Sequence, residues 1–174
     1  MSVANCITTI RIVLIPWFAI LVINGSFNQA LWVFAGAALT DGLDGLAARW
    51  LSQKTRLGAF LDPLADKMLL STAYVALAVL KKIPVWLSVI VICRDVIIML
   101  GVSLLVINQS RFEIKPSVSS KMTTFLQILL ILAVLSSGFI VINDQIIQGL
   151  VYVTLAFTVY SGLGYIYTGL KILT

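Results

Sequence analysis

Long apolar runs dominate this chain, and short polar segments separate them. Each run is close to the ~20 residues that a helix needs to cross a bilayer. Their approximate ranges are 8–24, 29–50, 58–80, 85–107, 120–141 and 146–169. The runs show no alternation of polar and apolar residues, so they predict helices and not the strands of a closed barrel. The pattern therefore predicts an all-α integral membrane protein, with six transmembrane helices in one domain that covers residues 1–174.

Basic residues in the polar segments predict the orientation of these helices. Most of the Lys and Arg residues fall on one side, which the positive-inside rule makes the cytosolic side. They are Arg11, Arg49, Lys54, Arg56, Arg111, Lys115, Lys121 and Lys171. Lys81 and Lys82 fall on the opposite side. Both termini are therefore predicted to face the cytosol, or the matrix if the membrane is the mitochondrial inner membrane and not a bacterial one.

Composition agrees with a membrane protein and excludes several other classes. The chain is 60% hydrophobic and 11% charged, whereas soluble domains carry roughly 25% charged residues. Its net charge of +5 suits an anionic lipid surface. Nucleic acid is not an expected partner, because the basic residues are scattered between apolar runs. The chain has no histidine and only two distant cysteines, so neither a disulfide framework nor a Cys/His metal site is predicted.

Four aspartates stand out in this apolar background, although the whole chain has only seven acidic residues. Asp41 and Asp44 lie near the end of the second predicted helix, and Asp62 and Asp66 lie in the first turns of the third. Spacings of three and four residues put each pair on one helix face. A short loop joins the two helices, so we expect an antiparallel pair that brings the four carboxylates together at one depth.

Four clustered carboxylates need compensating charge. An aspartate at the membrane centre costs roughly 2.5–3.5 kcal/mol on insertion scales. The nearby cations Arg49, Arg56 and Lys67 are too few to neutralise all four, which argues against a purely structural set of salt bridges. Carboxylate oxygens suit Mg²⁺ or Mn²⁺, and two such ions would match four carboxylates.

Small residues surround the aspartates, namely Gly42, Gly45, Ala47, Ala48, Gly58 and Ala59. Such residues often mark close packing between membrane helices, and that interpretation stays open for some of them. They also leave room for a ligand beside metal ions, and Arg49, one turn after Gly45, suits a phosphate. Two metal ions, open space and an arginine together predict a site for phosphoryl transfer.

The same residues carry a resemblance to a known family. The CDP-alcohol phosphotransferases share the pattern Asp-x2-Asp-Gly-x2-Ala-Arg-x8-Gly-x3-Asp-x3-Asp. Every fixed position is met here, by Asp41, Asp44, Gly45, Ala48, Arg49, Gly58, Asp62 and Asp66. The resemblance implies a six-helix membrane fold, usually dimeric. It also implies transfer of a phosphatidyl or similar group from a CDP-linked donor to an alcohol, with release of CMP.

Individual roles follow from this resemblance. Asp41, Asp44 and Asp62 would hold two metal ions, with Asp66 sharing in one of them. Asp66 would also be the general base that takes the proton of the acceptor hydroxyl. The donor CDP-diacylglycerol would be bound by Thr8, Asp44, Gly45, Ala48, Arg49 and Gly58.

Segments outside the motif bear on the acceptor alcohol. The opening "NCITTIRIVLIP" (5–16) resembles the Asn-x-x-Thr-x-x-Arg start of phosphatidylglycerophosphate synthases. Those enzymes often read Gly-Lys-x-Lys-Thr at the start of the fifth helix, where this chain reads "SKMTT" (120–124) and lacks the second lysine. That segment, with Arg94-Asp95, equally resembles the cardiolipin synthases. The N-terminal segment and the basic residues Arg111, Lys115 and Lys121 favour glycerol 3-phosphate as the predicted acceptor, and phosphatidylglycerol is the alternative.

Other charged residues have two interpretations each. Arg111, Lys115 and Lys121 are candidates for binding an anionic acceptor, or they face lipid headgroups as a positive-inside cluster. Arg94 and Asp95 are neighbours in the fourth predicted helix and point about 100° apart, so we expect them to have different partners. Those partners would lie in an inter-helix or dimer salt bridge, or in the substrate.

A cation transporter is the alternative from a different functional class. Transporters place polar groups along a path through the bilayer, usually near its midplane. Here the aspartates cluster toward one leaflet, which favours an enzyme. Metal-dependent release of CMP would decide between the two.

Overall fold

The computed structural model consists of helices and short turns in the residues that it describes, which are 3–51, 56–107, 118–140 and 142–173. Side chains are described for 12–40, 67–101, 119–140 and 142–167. The helices are α1 (Val3–Ile23), α2 (Phe27–Leu51), α3 (Arg56–Val79), α4 (Val85–Ile107), α5 (Val118–Ser136) and α6 (Asp144–Leu173). The all-α prediction is confirmed, and each helix coincides with one of the predicted runs.

One boundary difference of structural interest is at the end of α5. This helix stops at Ser136, whereas the apolar run continues to about 141. Gly138 follows in a turn and packs against the start of α2, where an added Cβ would lie 3.3 Å from the Cβ of Phe27. A larger residue at Gly138 would therefore require the start of α2 to shift.

The helices form a closed ring in the order α1, α2, α5, α6, α4, α3, and α3 also contacts α5 across the ring. The expected pairing of α2 with α3 concerns residues 41–66, whose side chains lie outside the described part of the structure, so it stays a prediction. In the described part of the chain α1 packs against both α2 and α3. A four-residue connection still spans up to about 18 Å, which is enough to pass the width of one helix.

The core of this bundle is mainly apolar, and many large apolar side chains are also exposed on its outside. Large apolar side chains point outward from several helices, including Trp17, Trp32, Val89, Leu100 and Leu163. Buried polar residues lie inside the ring, and they are Ser88, Arg94, Asp95, Thr123, Gln127, Thr154, Thr158 and Ser161. Apolar surface outside and polar groups inside are typical of a bundle whose solvent is lipid.

Length and composition identify two described helical stretches as able to cross a membrane, Ser119–Ser136 and Asp144–Tyr167. Two shorter apolar stretches are Ile12–Ile23 and Lys67–Val79. Two of the described helices are thus long and apolar enough to cross a membrane, which agrees with a membrane protein.

Two helix ends adopt the same turn with different residues in it. After α1, the N–H of Gly25 donates to the carbonyl of Val22 and the N–H of Ser26 to that of Leu21. After α3, Lys81 donates to Ala78 and Lys82 to Leu77 in the same pattern. Both turns need a left-handed residue, with φ of 73° at Gly25 and 56° at Lys81. Glycine adopts this conformation freely, whereas lysine adopts it at a cost.

Candidate active site at the motif end of the bundle

The two halves of the aspartate motif lie at the same end of the bundle. Asp41 and Asp44 belong to the C-terminal half of α2, and Asp62 and Asp66 belong to the first half of α3. Residues 52–55 connect these halves, so both halves lie at the same end of the bundle. The side chains of the four aspartates lie outside the described part of the structure.

The other predicted donor-binding residues belong to α1, α2 and α3. Gly45, Ala48 and Arg49 follow in α2, Gly58 lies in the first turn of α3, and Thr8 lies in α1; their side chains are also outside the described part. The rings of Phe18 and Phe34 are 5.6 Å apart between antiparallel α1 and α2. Counting ten residues back from Phe18 and ten forward from Phe34 puts Thr8 level with Asp44. The backbone register thus agrees with placing Thr8 at the motif end.

A buried group of charged and hydroxyl side chains joins four helices next to this motif. Lys67, which follows Asp66 in α3, places its Nζ 2.7 Å from Oδ1 of Asp95 in α4. Nη1 of Arg94 donates to the same oxygen at 2.7 Å. Nη2 of Arg94 donates to the hydroxyls of Ser120 in α5 and Ser161 in α6, both at 2.7 Å. We call these five residues the ion-pair layer.

The layer corrects the expectation that Arg94 and Asp95 have different partners. They bind each other directly, because the long arginine side chain reaches around the helix to its neighbour's carboxylate. Each also binds another helix, since Asp95 accepts from Lys67 and Arg94 donates to α5 and α6. In the described structure the pair therefore belongs to an inter-helix salt bridge, which was one of the two interpretations left open.

Because the ion-pair layer is buried, loss of one of its charges should strongly destabilise the fold. The side chains of Arg94 and Asp95 are only 4% and 5% exposed, whereas that of Lys67 is 25% exposed. Removing one partner of a buried ion pair typically costs about 3–5 kcal/mol, because the other charge is left uncompensated. Asp95 faces two cations, so the layer carries one net positive charge beside a motif of four carboxylates.

Helix register puts the layer one residue deeper than Asp66. The Ser88 hydroxyl donates to the carbonyl of Tyr74, seven residues from Asp95 and Lys67 respectively, so α3 and α4 keep one antiparallel register over this distance. One residue along a helix is about 1.5 Å. The rotation and depth of α3 at Asp66 are consequently held by the neighbouring Lys67.

A hydroxyl-lined contact continues from the layer between α5 and α6. Thr123, fully buried, donates to the carbonyls of Ser119 and Phe157. Thr158 donates to the carbonyl of Thr154 within α6. Polar contacts of this kind hold membrane helices together, where apolar packing alone gives no preference over lipid.

The predicted acceptor residues are only partly described. Lys121 lies in α5 directly after Ser120 of the ion-pair layer, and its side chain is exposed. Arg111 and Lys115 lie outside the described residues. Lys121 is thus at the motif end, as predicted, and its grouping with the other two stays a prediction.

The linking role of Lys67 and of the two serines was not predicted from the sequence. Lys67 had been considered only as a local counter-charge for the aspartates. The available signal was an Arg-Asp pair in the middle of an apolar helix, since such charges demand partners on neighbouring helices. Nothing in the sequence singles out Ser120 and Ser161, because hydroxyl residues are frequent in these helices.

Known proteins match this chain over most of its length. Residues 1–160 match the protein family described as CDP-alcohol phosphatidyltransferase. The cardiolipin synthase (CMP-forming) of Rattus norvegicus is 35% identical over 173 residues, covering 90% of this chain and 57% of that protein. The probable phosphatidylglycerophosphate synthase of Mycobacterium tuberculosis (strain H37Rv) is 35% identical over 133 residues, covering 72% of this chain and 62% of that protein.

A third relative matches from end to end. The CDP-diacylglycerol--glycerol-3-phosphate 3-phosphatidyltransferase of Bacillus subtilis is 31% identical over 181 residues, covering 94% of this chain and 93% of that protein. The chain spans less than two thirds of the rat and mycobacterial proteins. The family match includes the whole aspartate motif and the ion-pair layer up to α5.

Proposed function

This chain belongs to the CDP-alcohol phosphatidyltransferase family, and we propose that it transfers a phosphatidyl group from CDP-diacylglycerol to an alcohol and releases CMP. The observation that carries the proposal is the family match over residues 1–160, within which every fixed position of the aspartate motif is present. Phospholipid biosynthesis is the process that such a transfer serves.

The protein is proposed to span the membrane with all six helices and to keep both termini on the cytosolic or matrix side. Support comes from the outward apolar side chains, the buried polar layer and the two helical stretches of spanning length. The excess of Lys and Arg in the segments at the motif end supports the same orientation. The active site then faces the cytosol or matrix. A homodimer in a bacterial or mitochondrial inner membrane is carried over from the resemblance.

Two divalent cations, Mg²⁺ or Mn²⁺, are proposed as cofactors. Asp41, Asp44, Asp62 and Asp66 would hold them, and the donor set fits, because four carboxylates at adjoining helix ends supply the hard oxygen ligands that these ions prefer. No other group of three or more potential ligands exists among the side chains that the structure describes. When bound, the ions would neutralise charge on the CDP pyrophosphate and the departing CMP.

The reaction forms one bond and breaks one. The acceptor hydroxyl oxygen bonds to the phosphorus of the phosphatidyl group, and the pyrophosphate bond to CMP breaks. Asp66 takes the hydroxyl proton as general base, while Thr8, Gly45, Ala48, Arg49 and Gly58 bind the donor. The Lys67–Asp95 pair holds α3 beside Asp66, which supplies the positional precision that a general base requires.

Phosphatidylglycerol is the acceptor that the described residues support better. Where a phosphatidylglycerophosphate synthase often has a second lysine, this chain has Thr123, whose fully buried hydroxyl donates to the carbonyls of Ser119 and Phe157. Lys121 is left as the lysine of that segment. A phosphodiester carries one negative charge, so it needs fewer cations than a phosphate monoester with about two. The rat cardiolipin synthase also matches 90% of this chain.

Glycerol 3-phosphate is the second candidate acceptor. It is supported by the N-terminal segment, by the candidate basic residues Arg111, Lys115 and Lys121, and by the end-to-end match to the Bacillus subtilis enzyme. These three residues would bind its phosphate.

The test is an assay of the purified, reconstituted protein with labelled CDP-diacylglycerol. Each acceptor is supplied separately, and CMP and lipid product are measured with Mg²⁺, with Mn²⁺ and after chelation. We expect metal-dependent CMP release and labelled cardiolipin from phosphatidylglycerol. Product from glycerol 3-phosphate alone would identify the second candidate, and full activity after chelation would refute the cofactor proposal.

A further inference from the structure

A groove lies at the end of the bundle away from the aspartate motif. It is about 670 Å³ in volume and lies between the α3–α4 turn and the first turns of α6. Lys81, Lys82 and Trp86 line it on one side, and Gln148 and Tyr152 on the other. Thirteen residues of α3 separate Asp66 from Val79, which is about 20 Å along the helix, so the groove is separate from the proposed active site.

The two lysines at this groove carry charge without a described counter-charge. Both are exposed, and within the described residues neither forms a salt bridge with a carboxylate. Asp144, at the start of α6, makes no such contact with them either. The Nζ of Lys82 lies 5.4 Å from the ring centroid of Phe27, which keeps the ammonium near the groove without neutralising it.

Backbone conformation gives an independent reason to assign Lys81 a role in binding. The chain uses Gly25 in the matching turn after α1, where no atom lies within 4 Å of an added Cβ. Lys81 occupies the same left-handed position with φ of 56°. Lysine therefore occupies a position whose conformation glycine adopts more easily, and it places a positive charge there that glycine cannot supply.

The surroundings of the groove match the chemistry of a phospholipid. Trp86 and Tyr152 stack with their ring centroids 6.4 Å apart at the edge of the groove, and both are partly exposed. Aromatic residues of this kind lie at the headgroup level of membranes. Exposed Val85 and Val89 lie before and after Trp86 on α4 and offer apolar surface for an acyl chain.

We propose that this groove binds the phosphate headgroup of an anionic phospholipid, held by Lys81 and Lys82, in the leaflet opposite the aspartate motif. The proposal rests on the proposed membrane orientation and not on the transferase activity. Lys81 and Lys82 lie on the side of the membrane opposite to most of the Lys and Arg residues. A lipid phosphate at this site would neutralise the charge of these two lysines.

Trp86 provides a local readout of lipid binding. Trp17, Trp32 and Trp50 are replaced with Phe, so that the full chain keeps Trp86 as its one tryptophan. The protein is reconstituted into phosphatidylcholine discs that contain phosphatidylglycerol, with bromine on the acyl chains of one lipid or the other. The ratio of the two quenching efficiencies measures lipid preference beside the groove, far from any lipid at the catalytic site.

Substitutions at the two lysines then separate the charge from the backbone. We expect Trp86 to prefer phosphatidylglycerol, and Lys81→Gly and Lys82→Ala each to lower that preference about fivefold. Lys81→Arg retains the charge and should retain the preference. Lys121→Ala removes an exposed lysine at the other end of the bundle and should leave quenching at Trp86 unchanged. Thermal unfolding of Lys81→Gly confirms that the fold is intact.

Two results would overturn the proposal. If neither Lys81→Gly nor Lys82→Ala changes the preference, the lysines are only general interface anchors. If neither brominated lipid quenches Trp86, protein and not lipid covers the groove. A chain inactive in the CMP assay but with the expected lipid preference would refute the proposed function and leave the lipid site standing.

Discussion

Lysines lie where the described side chains of α3 begin and in the turn that follows this helix, and their environments are opposite. Lys67 is mostly buried and binds Asp95 at 2.7 Å, next to the aspartate motif. Lys81 and Lys82 are exposed at the far end and have no salt bridge in the described structure. We expect the first lysine to stabilise the bundle and the other two to contribute little to its stability. The same residue type thus marks a structural contact at one end and a candidate binding surface at the other.

The largest effect is expected at the motif end, from Asp66→Asn. Asparagine has a similar shape but cannot take a proton, so CMP release should fall at least about 100-fold while CDP-lipid binding largely persists. Turnover and donor binding are measured on the same preparation. Ser88→Ala, a buried substitution on the neighbouring helix, is the control. Retained turnover in Asp66→Asn would remove this residue from the role of general base.

Asp95→Asn should produce the largest loss of stability. It leaves the buried Arg94 and the partly buried Lys67 without a counter-charge, so the free energy of unfolding should fall by about 3–5 kcal/mol. The measurement is denaturant unfolding in detergent micelles. Ser88→Ala, on the same helix as Asp95, removes one buried hydrogen bond to the carbonyl of Tyr74. It should lower the free energy of unfolding by only about 1 kcal/mol. Equal losses would mean that the ion-pair layer is no more important than an ordinary hydrogen bond.

Exchanging residues at the two matching turns should give opposite changes. Gly25→Ala puts a side chain in the left-handed position and should lower the free energy of unfolding by about 1 kcal/mol. Lys81→Gly removes the side chain from the same left-handed conformation. The free energy of unfolding should therefore stay unchanged or rise by up to about 1 kcal/mol. Thermal unfolding of both variants beside the wild type tests this. A clear loss in Lys81→Gly would show that the lysine side chain stabilises the fold.

The smallest effect is expected from Lys82→Ala. Its ammonium is exposed, and the contact with the Phe27 ring is worth about 0.5–1 kcal/mol at such a site. The change in unfolding free energy should stay within that range and far below the change in Asp95→Asn. A loss comparable to that of Asp95→Asn would show that Lys82 stabilises the fold as much as the ion-pair layer does.

Sequence periodicity was sufficient for the elements and for the grouping of the motif. The six apolar runs correspond to α1–α6, because run length and helical rise are local properties of the chain. The connection at 52–55 is short, so the halves of the motif on α2 and α3 had to lie at one end. The family resemblance rested on fixed spacings within residues 41–66, which need no tertiary information, and the match over residues 1–160 confirms it.

Only the tertiary structure decided which helices are neighbours and which charges pair. The position of α1 between α2 and α3 depends on packing among all six helices, and short connections permit more than one order. The bond between Arg94 and Asp95 depends on a side chain that bends around its helix, and its links to Ser120 and Ser161 join residues far apart in sequence. The left-handed conformation of Lys81 is equally invisible in the sequence, because the usual signal for that turn is a glycine.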